Sequence, residues 1–204
     1  DTSLINLIEL LHPYSVWERD KTDGQIAIAI NERMAYIYVN DKNVSTNEIV
    51  NTLKEDKRIQ FIAWKEDKAN YVVSPQSNQP LTFSRNGPIS DEYQQSWMLN
   101  GDVSILDLTI NDQNLVQYNQ YPDALARLDG ALHSQDGRFI IVDALPFYEF
   151  ISKHSHDHAG GGAHGSLHEI DSIVPLIVTG TDELPKYNRL VDIKEWIIRL
   201  VDGE

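Results

Sequence analysis

Cysteine is absent from the 204 residues, which excludes disulfides and thiolate chemistry but leaves the compartment open, because secreted domains without disulfides exist. Cations are scarce: 17 Lys and Arg stand against 31 Asp and Glu, a net charge of −14. A chain this acidic repels phosphate backbones, so no nucleic-acid polymer is expected as a partner. No apolar run approaches the ~20 residues of a membrane-spanning helix, and no membrane span is expected. No Gly-x-Ser-x-Gly elbow, P-loop or dinucleotide fingerprint occurs, which disfavours the chemistries built on those turns. An initiator methionine and a signal peptide are lacking too, so Asp1-Thr2-Ser3 reads as the start of a processed chain or of a piece of a longer one. What is there, 41% hydrophobic and 24% charged, is globular material with enough length for a real core.

Leu4, Ile8 and Leu11 share a helical face, predicting a first helix stopped at His12-Pro13. Ile26, Ile28 and Ile30 alternate with alanines in a strand that reads as buried on both faces, and Asn31-Glu32-Arg33 turns into a second strand over Met34–Val39. Ser45 and Glu48 have capping-box spacing and open a helix whose Ile49, Val50 and Leu53 share a face. Strands are predicted at Ile59–Trp64 and Asn70–Ser74, giving a β-β-α-β-β unit with its helix on one sheet face. Pro75, Pro80, Gly87 and Pro88 then punctuate an irregular excursion with one short strand at Leu81–Ser84. Val103–Leu108 is ambiguous, and Leu115–Tyr118 reads as a strand.

Beyond Pro122-Asp123 a helix carries Ala124, Leu125, Leu128, Ala131 and Leu132 on one face. Phe139–Val142 and Ile173–Val178 are continuous apolar runs of the buried-strand type. A closing helix places Ile193, Trp196, Ile197, Leu200 and Val201 on one apolar stripe. The fold class is therefore mixed α+β, with a boundary near Gln120: an accessory, lid-like region over 1–120 and an α/β unit over 121–204. Trp64 and Trp196 read as packing residues, and Asp171, Asp182 and Glu183 as solvated carboxylates.

Five of the seven histidines fall between His154 and His168, with Asp157 among them and Gly160-Gly161-Gly162 in the middle. Neutral imidazole and carboxylate are ligands that zinc and similar ions take. Glycines let such side chains converge. Spacing alone leaves two readings open, a metal site or a solvated histidine-rich loop, because no tight pattern such as H-E-x-x-H is present.

The run His158-Ala159-Gly160-Gly161-Gly162-Ala163-His164-Gly165-Ser166-Leu167-His168, followed by Asp171-Ser172-Ile173-Val174-Pro175-Leu176-Ile177-Val178, resembles the carboxy-terminal part of the alkaline phosphatase superfamily. The look-alike is its type I phosphodiesterase and nucleotide pyrophosphatase branch. Arg189-Leu190-Val191-Asp192-Ile193 resembles the start of that family's last helix, and Asn31–Tyr38 more weakly resembles a segment of its accessory region. The resemblance implies an alkaline-phosphatase-like sheet and metal-dependent hydrolysis of phosphate esters. It makes His164 a metal ligand, with His158 and Ser166 behind it or on the substrate side. It also implies two divalent ions, zinc expected, in the intact protein, and a small phosphate ester as substrate.

The family's upstream Asp-x-x-x-His and Asp-His-Gly motifs and its Ser or Thr nucleophile are absent before Gln120. The chain is thus expected to be the carboxy-terminal half of such a hydrolase, inactive alone and with weak or no metal binding. His154 and His156 are expected in the solvated loop. A homodimer is expected to cover the sheet edge left by missing upstream strands. The alternative function is a non-catalytic module that binds a ligand or protein through the β-β-α-β-β unit.

Overall fold

Over the residues that the computed structural model describes (3–17, 23–152, 155 and 161–202), eleven strands and five helices follow one another in mixed α+β order. Strand β1 (Leu4–Asn6) and the single turn α1 (Leu7–Leu10) replace the one helix predicted there. The Asn6 side chain accepts from the amides of Ile8 and Glu9, a cap that moves the helix start forward. The expected β2 (Ile26–Asn31) and β3 (Met34–Val39) form a hairpin, followed by α2 (Thr46–Lys54), β4 (Ile59–Glu66) and β5 (Ala69–Val73). Ser45 occupies the α2 N-cap without a side-chain capping bond, so its spacing to Glu48 marks the boundary but closes no box.

The excursion after Pro75 is more regular than its composition suggests. Strand β6 (Leu81–Asp91) pairs with β7 (Ser96–Gly101) across a bulge between Arg85 and Ile89. Gly87 and Pro88 sit in that bulge, where neither residue breaks the ladder elsewhere. A 3-10 turn at Val103–Leu106 leads to β8 (Leu108–Ile110) and β9 (Leu115–Tyr118). Then come α3 (Ala124–His133), β10 (Phe139–Ala144), β11 (Glu149–Ile151) and the one-turn α4 (Glu169–Ser172), and α5 (Leu190–Asp202) ends the order. None of these helices is long and apolar enough to cross a membrane.

Nine strands make one sheet in the order β2-β3-β10-β4-β5-β6-β9-β8, with β7 on β6, while β1 and β11 pair separately. Strand β10 is antiparallel to both β3 and β4. Its side chains alternate between two cores, which explains its unbroken apolar run. Ile140, Val142 and Ala144 pack with Ile49, Val50 and Leu53 of α2. Phe139 and Ile141 pack with Leu125, Leu128 and Leu132 of α3. Strand β2 lies at the sheet edge, and only Ile26 of its isoleucines is fully buried, so the expected burial on both faces is not met.

The chain divides at Ser172, into Asp1–Ser172 and Ile173–Glu204, and not near Gln120. A boundary at Gln120 would cut through the sheet, because β10 is hydrogen-bonded between strands that precede it. For the same reason Phe139–Val142 offers no open edge for a second copy to cover. Ile173–Val178, the other predicted buried strand, forms no strand, and Ile173, Val174, Leu176 and Ile177 are exposed. Helix α5 forms as predicted, with only Trp196 buried along it.

Two isoleucines from runs that look alike in sequence should therefore respond differently. Ile141→Ala is expected to lower unfolding free energy by about 3 kcal/mol, and Ile177→Ala to change it by less than about 0.5 kcal/mol. Urea denaturation of both variants checks this.

Candidate functional site

Of the residues that the sequence marks for chemistry, His164 and Ser166 lie on a strap, residues 161–172, that docks on the β2–β3 turn. Glu32 in that turn has φ of +54°, a conformation that a residue with a side chain adopts at some cost. Its carbonyl accepts from Phe150 N at 2.8 Å and its Oε2 accepts from His164 N at 2.6 Å. The next residue, Arg33, donates its own amide to the His164 carbonyl at 3.0 Å. His164 is thus pinned through its backbone on both sides while its side chain stays 67% exposed, with Nε2 3.2 Å from Glu32 Oε1.

Gly165 makes this approach feasible. Its φ is +102°, and a Cβ there would lie 2.3 Å from the Asn31 carbonyl oxygen. After Gly165 the strap turns inward. Ser166, Leu167 and His168 are buried. Ser166 Oγ donates to Asp143 Oδ1 at 2.8 Å and accepts from His168 N at 3.0 Å, while Leu167 N donates to Asp143 Oδ2 at 3.1 Å. The serine hydroxyl is thereby committed to the interior. Of the two places expected for it, behind His164 or on the substrate side, the buried hydroxyl does not occupy the second.

Asp143 is fully buried at the end of β10, on the α3 face of the sheet. Burial pushes its carboxyl up to about 7, against the opposing pull of the Leu167 and Ser166 hydrogen bonds and the Arg33 charge. Arg33 and Asp171 form a buried pair at 2.6 Å, with side chains 5% and 2% exposed. Arg33 Nη2 also reaches the Ala144 carbonyl, and Asp171 Oδ2 accepts from Ser166 N. Asp171 is therefore no solvated carboxylate, contrary to the sequence expectation. From α3, Arg127 donates to the Leu167 carbonyl at 3.0 Å, and burial pushes its guanidinium down. Tyr121 meets the His168 ring edge-on, and burial raises its hydroxyl.

His154, His156 and His158 lie outside the described residues. Among the described residues no group of three or more His, Asp or Glu side chains is gathered for a metal ion. Glu32 and His164 are two donors of the right chemistry, fewer than the three that even a catalytic zinc takes from protein. Taken alone they do not make a complete site, and the geometry allows either shared proton binding or partial coordination. A separate cleft of about 260 Å³ is lined by Thr46, Trp64–Asp67 and Gly137–Phe139. Its cations, Lys65 and Arg138, are already bound to backbone carbonyls.

Sequence reading singled out His164, with His158 and Ser166, and gave no role to Glu32, Arg33 or Asp143. A carboxylate closing an otherwise apolar strand was the available signal for Asp143. Comparison with family models, with curated proteins and with solved structures finds no match for this chain.

Gly165→Ala should free the strap and cost about 3 kcal/mol, because the new Cβ meets backbone that cannot yield. Gly137→Ala, also at positive φ (+95°) but with nothing within 4 Å, isolates the dihedral cost at about 1 kcal/mol. Thermal unfolding and limited proteolysis across 161–172 distinguish the two.

Proposed function

We propose that this chain contributes His164 as one ligand of a divalent-metal site in a phosphate-ester hydrolase of the phosphodiesterase type. The observation that supports it best is the way His164 is held. Backbone bonds on both sides fix its position and a neighbouring carboxylate, Glu32, lies at 3.2 Å, while the imidazole itself faces solvent. A metal ligand needs that combination of fixed backbone and free ring. The remaining ligands and the nucleophile would come from other sequence, and the metal would supply charge stabilisation of a phosphoryl oxygen. The exposed apolar run Ile173–Ile177 supports the same reading, since its sequence is of the kind that buried strands carry. It equally favours a second reading, a non-catalytic module that docks a protein or a second copy through that run.

Zinc titration of the purified chain is expected to give at most weak binding, weaker in acid where protons compete for the ligands, and weakened by His164→Ala. Turnover of bis(4-nitrophenyl) phosphate should be undetectable. A tight stoichiometric site that requires His154, His156 and His158 would overturn the role given to His164. The gene upstream of Asp1 is expected to encode a Ser- or Thr-centred nucleophile motif and an Asp-His-Gly. Their absence, with self-association by light scattering that Ile177→Asp abolishes, would favour the docking module.

A further inference from the structure

The bonds that fasten the strap to the sheet end on a carboxylate with no cation of its own. Arg33 gives Nη1 to Asp171 and Nη2 to the Ala144 carbonyl, and its buried Nε has no partner. Arg127 is committed to the carbonyls of Pro122 and Leu167. Asp143 receives only two neutral donors, Ser166 Oγ and Leu167 N, both from the strap. Asp143 therefore has no cation in direct contact: Arg33 is paired with Asp171, and Arg127, which also faces Asp143, gives its hydrogen bonds to carbonyls, so an ionised Asp143 is buried with two neutral donors in place of water. Lifting the strap would return Asp143 to water and remove that penalty.

We propose that residues 164–172 form a proton-operated strap, held down when Asp143 is protonated and loosened when it ionises. Protonated Asp143 can donate to Ser166 Oγ while still accepting from Leu167 N, so both fastenings survive the change. The groups facing Asp143 are Arg33 at the start of β3, Asp171 on α4, and Tyr121 and Arg127 from the α3 side. His168 lies beyond Tyr121, its Nδ1 accepting from Ile170 N. Strand β4 contributes Phe61 opposite Asp143 and no charge at that register.

The sign follows from the direction of the shift. The Asp143 carboxyl is raised when the strap is down, from 3.8 to about 7. Closure is then strongest below the solvated value, weakens as pH climbs towards the closed-state value, and levels off above it. The device concerns the strap itself and holds whether or not His164 binds a metal.

Hydrogen exchange of the 164–172 amides, corrected for intrinsic rates and referenced to Ile140–Val142, is the test. Protection in the wild type should fall by up to about thirtyfold from pH 5.5 to pH 8, one proton's linkage between the two values. Asp143→Asn, whose Nδ2 can donate to Ser166 Oγ, should keep the strap protected at both pH values. Carboxyl ¹³C NMR of the wild type should show Asp143 titrating near neutrality, a readout that needs no variant to fold. A fall smaller than about threefold, a rise with pH, a pH dependence that persists in Asp143→Asn, or Asp143 titrating in the ordinary carboxylate range would each overturn the proposal.

Discussion

Strand β10 fills a slot that the earlier part of the chain leaves open. Strands β3 and β4 are joined through α2 but never pair with each other, and each takes β10 as its neighbour instead. Until Phe139–Ala144 arrives, both present unpaired backbone edges, and the cores under α2 and α3 are incomplete. The loop entropy of bringing together segments so far apart precedes any contact that rewards it. The two hydrophobic cores form on opposite faces of the sheet, and β10 contributes side chains to both. The same strand carries Asp143 to the sheet end where the strap docks.

Two interior carboxylates show contrasting solutions to the same desolvation problem. Asp91 accepts from Trp97 Nε1, Tyr118 Oη, Gln95 Nε2 and the amides of Tyr93 and Gln95, all within 3.0 Å. Five donors replace most of what water supplied, and none of them needs a counter-charge. Burial and the Asp91 charge raise the Tyr118 hydroxyl, which therefore stays a donor. Asp143 has two donors and no direct cation, so its ionised form is poorly replaced. The first carboxylate is a rigid joint. The second is a weak point whose strength depends on a proton.

Periodicity was legible wherever one element met one environment. The β2–β3 hairpin, α2, the β4–β5 pair, α3 and α5 lie close to where apolar spacing puts them. Spacing could not show partners. Phe139–Val142 and Ile173–Val178 are both apolar runs, yet one is a strand paired on both sides and the other forms no strand and is exposed. Composition misled around Gly87 and Pro88, where a bulge and not a loop accommodates both residues. At the candidate site, the His-Gly pair is local in sequence, but its neighbours Glu32 and Arg33 come from far earlier in the chain. The environment of Asp171 likewise depends on Arg33, which no local pattern connects to it.

Gly165 presses against the Asn31 carbonyl across a gap that admits no side chain. That steric limit has a bearing on how variation at this position should be read among relatives. A glycine retained after His164 would report the packing of two backbones and would say nothing by itself about catalysis. A lineage that lost every function of the histidine would still be held to glycine beside it, for as long as the strap stayed folded. His164 itself, with an exposed ring whose position its main chain already fixes, carries no such obligation, so its fate and that of Gly165 would separate where chemistry, and not folding, is what selection has released.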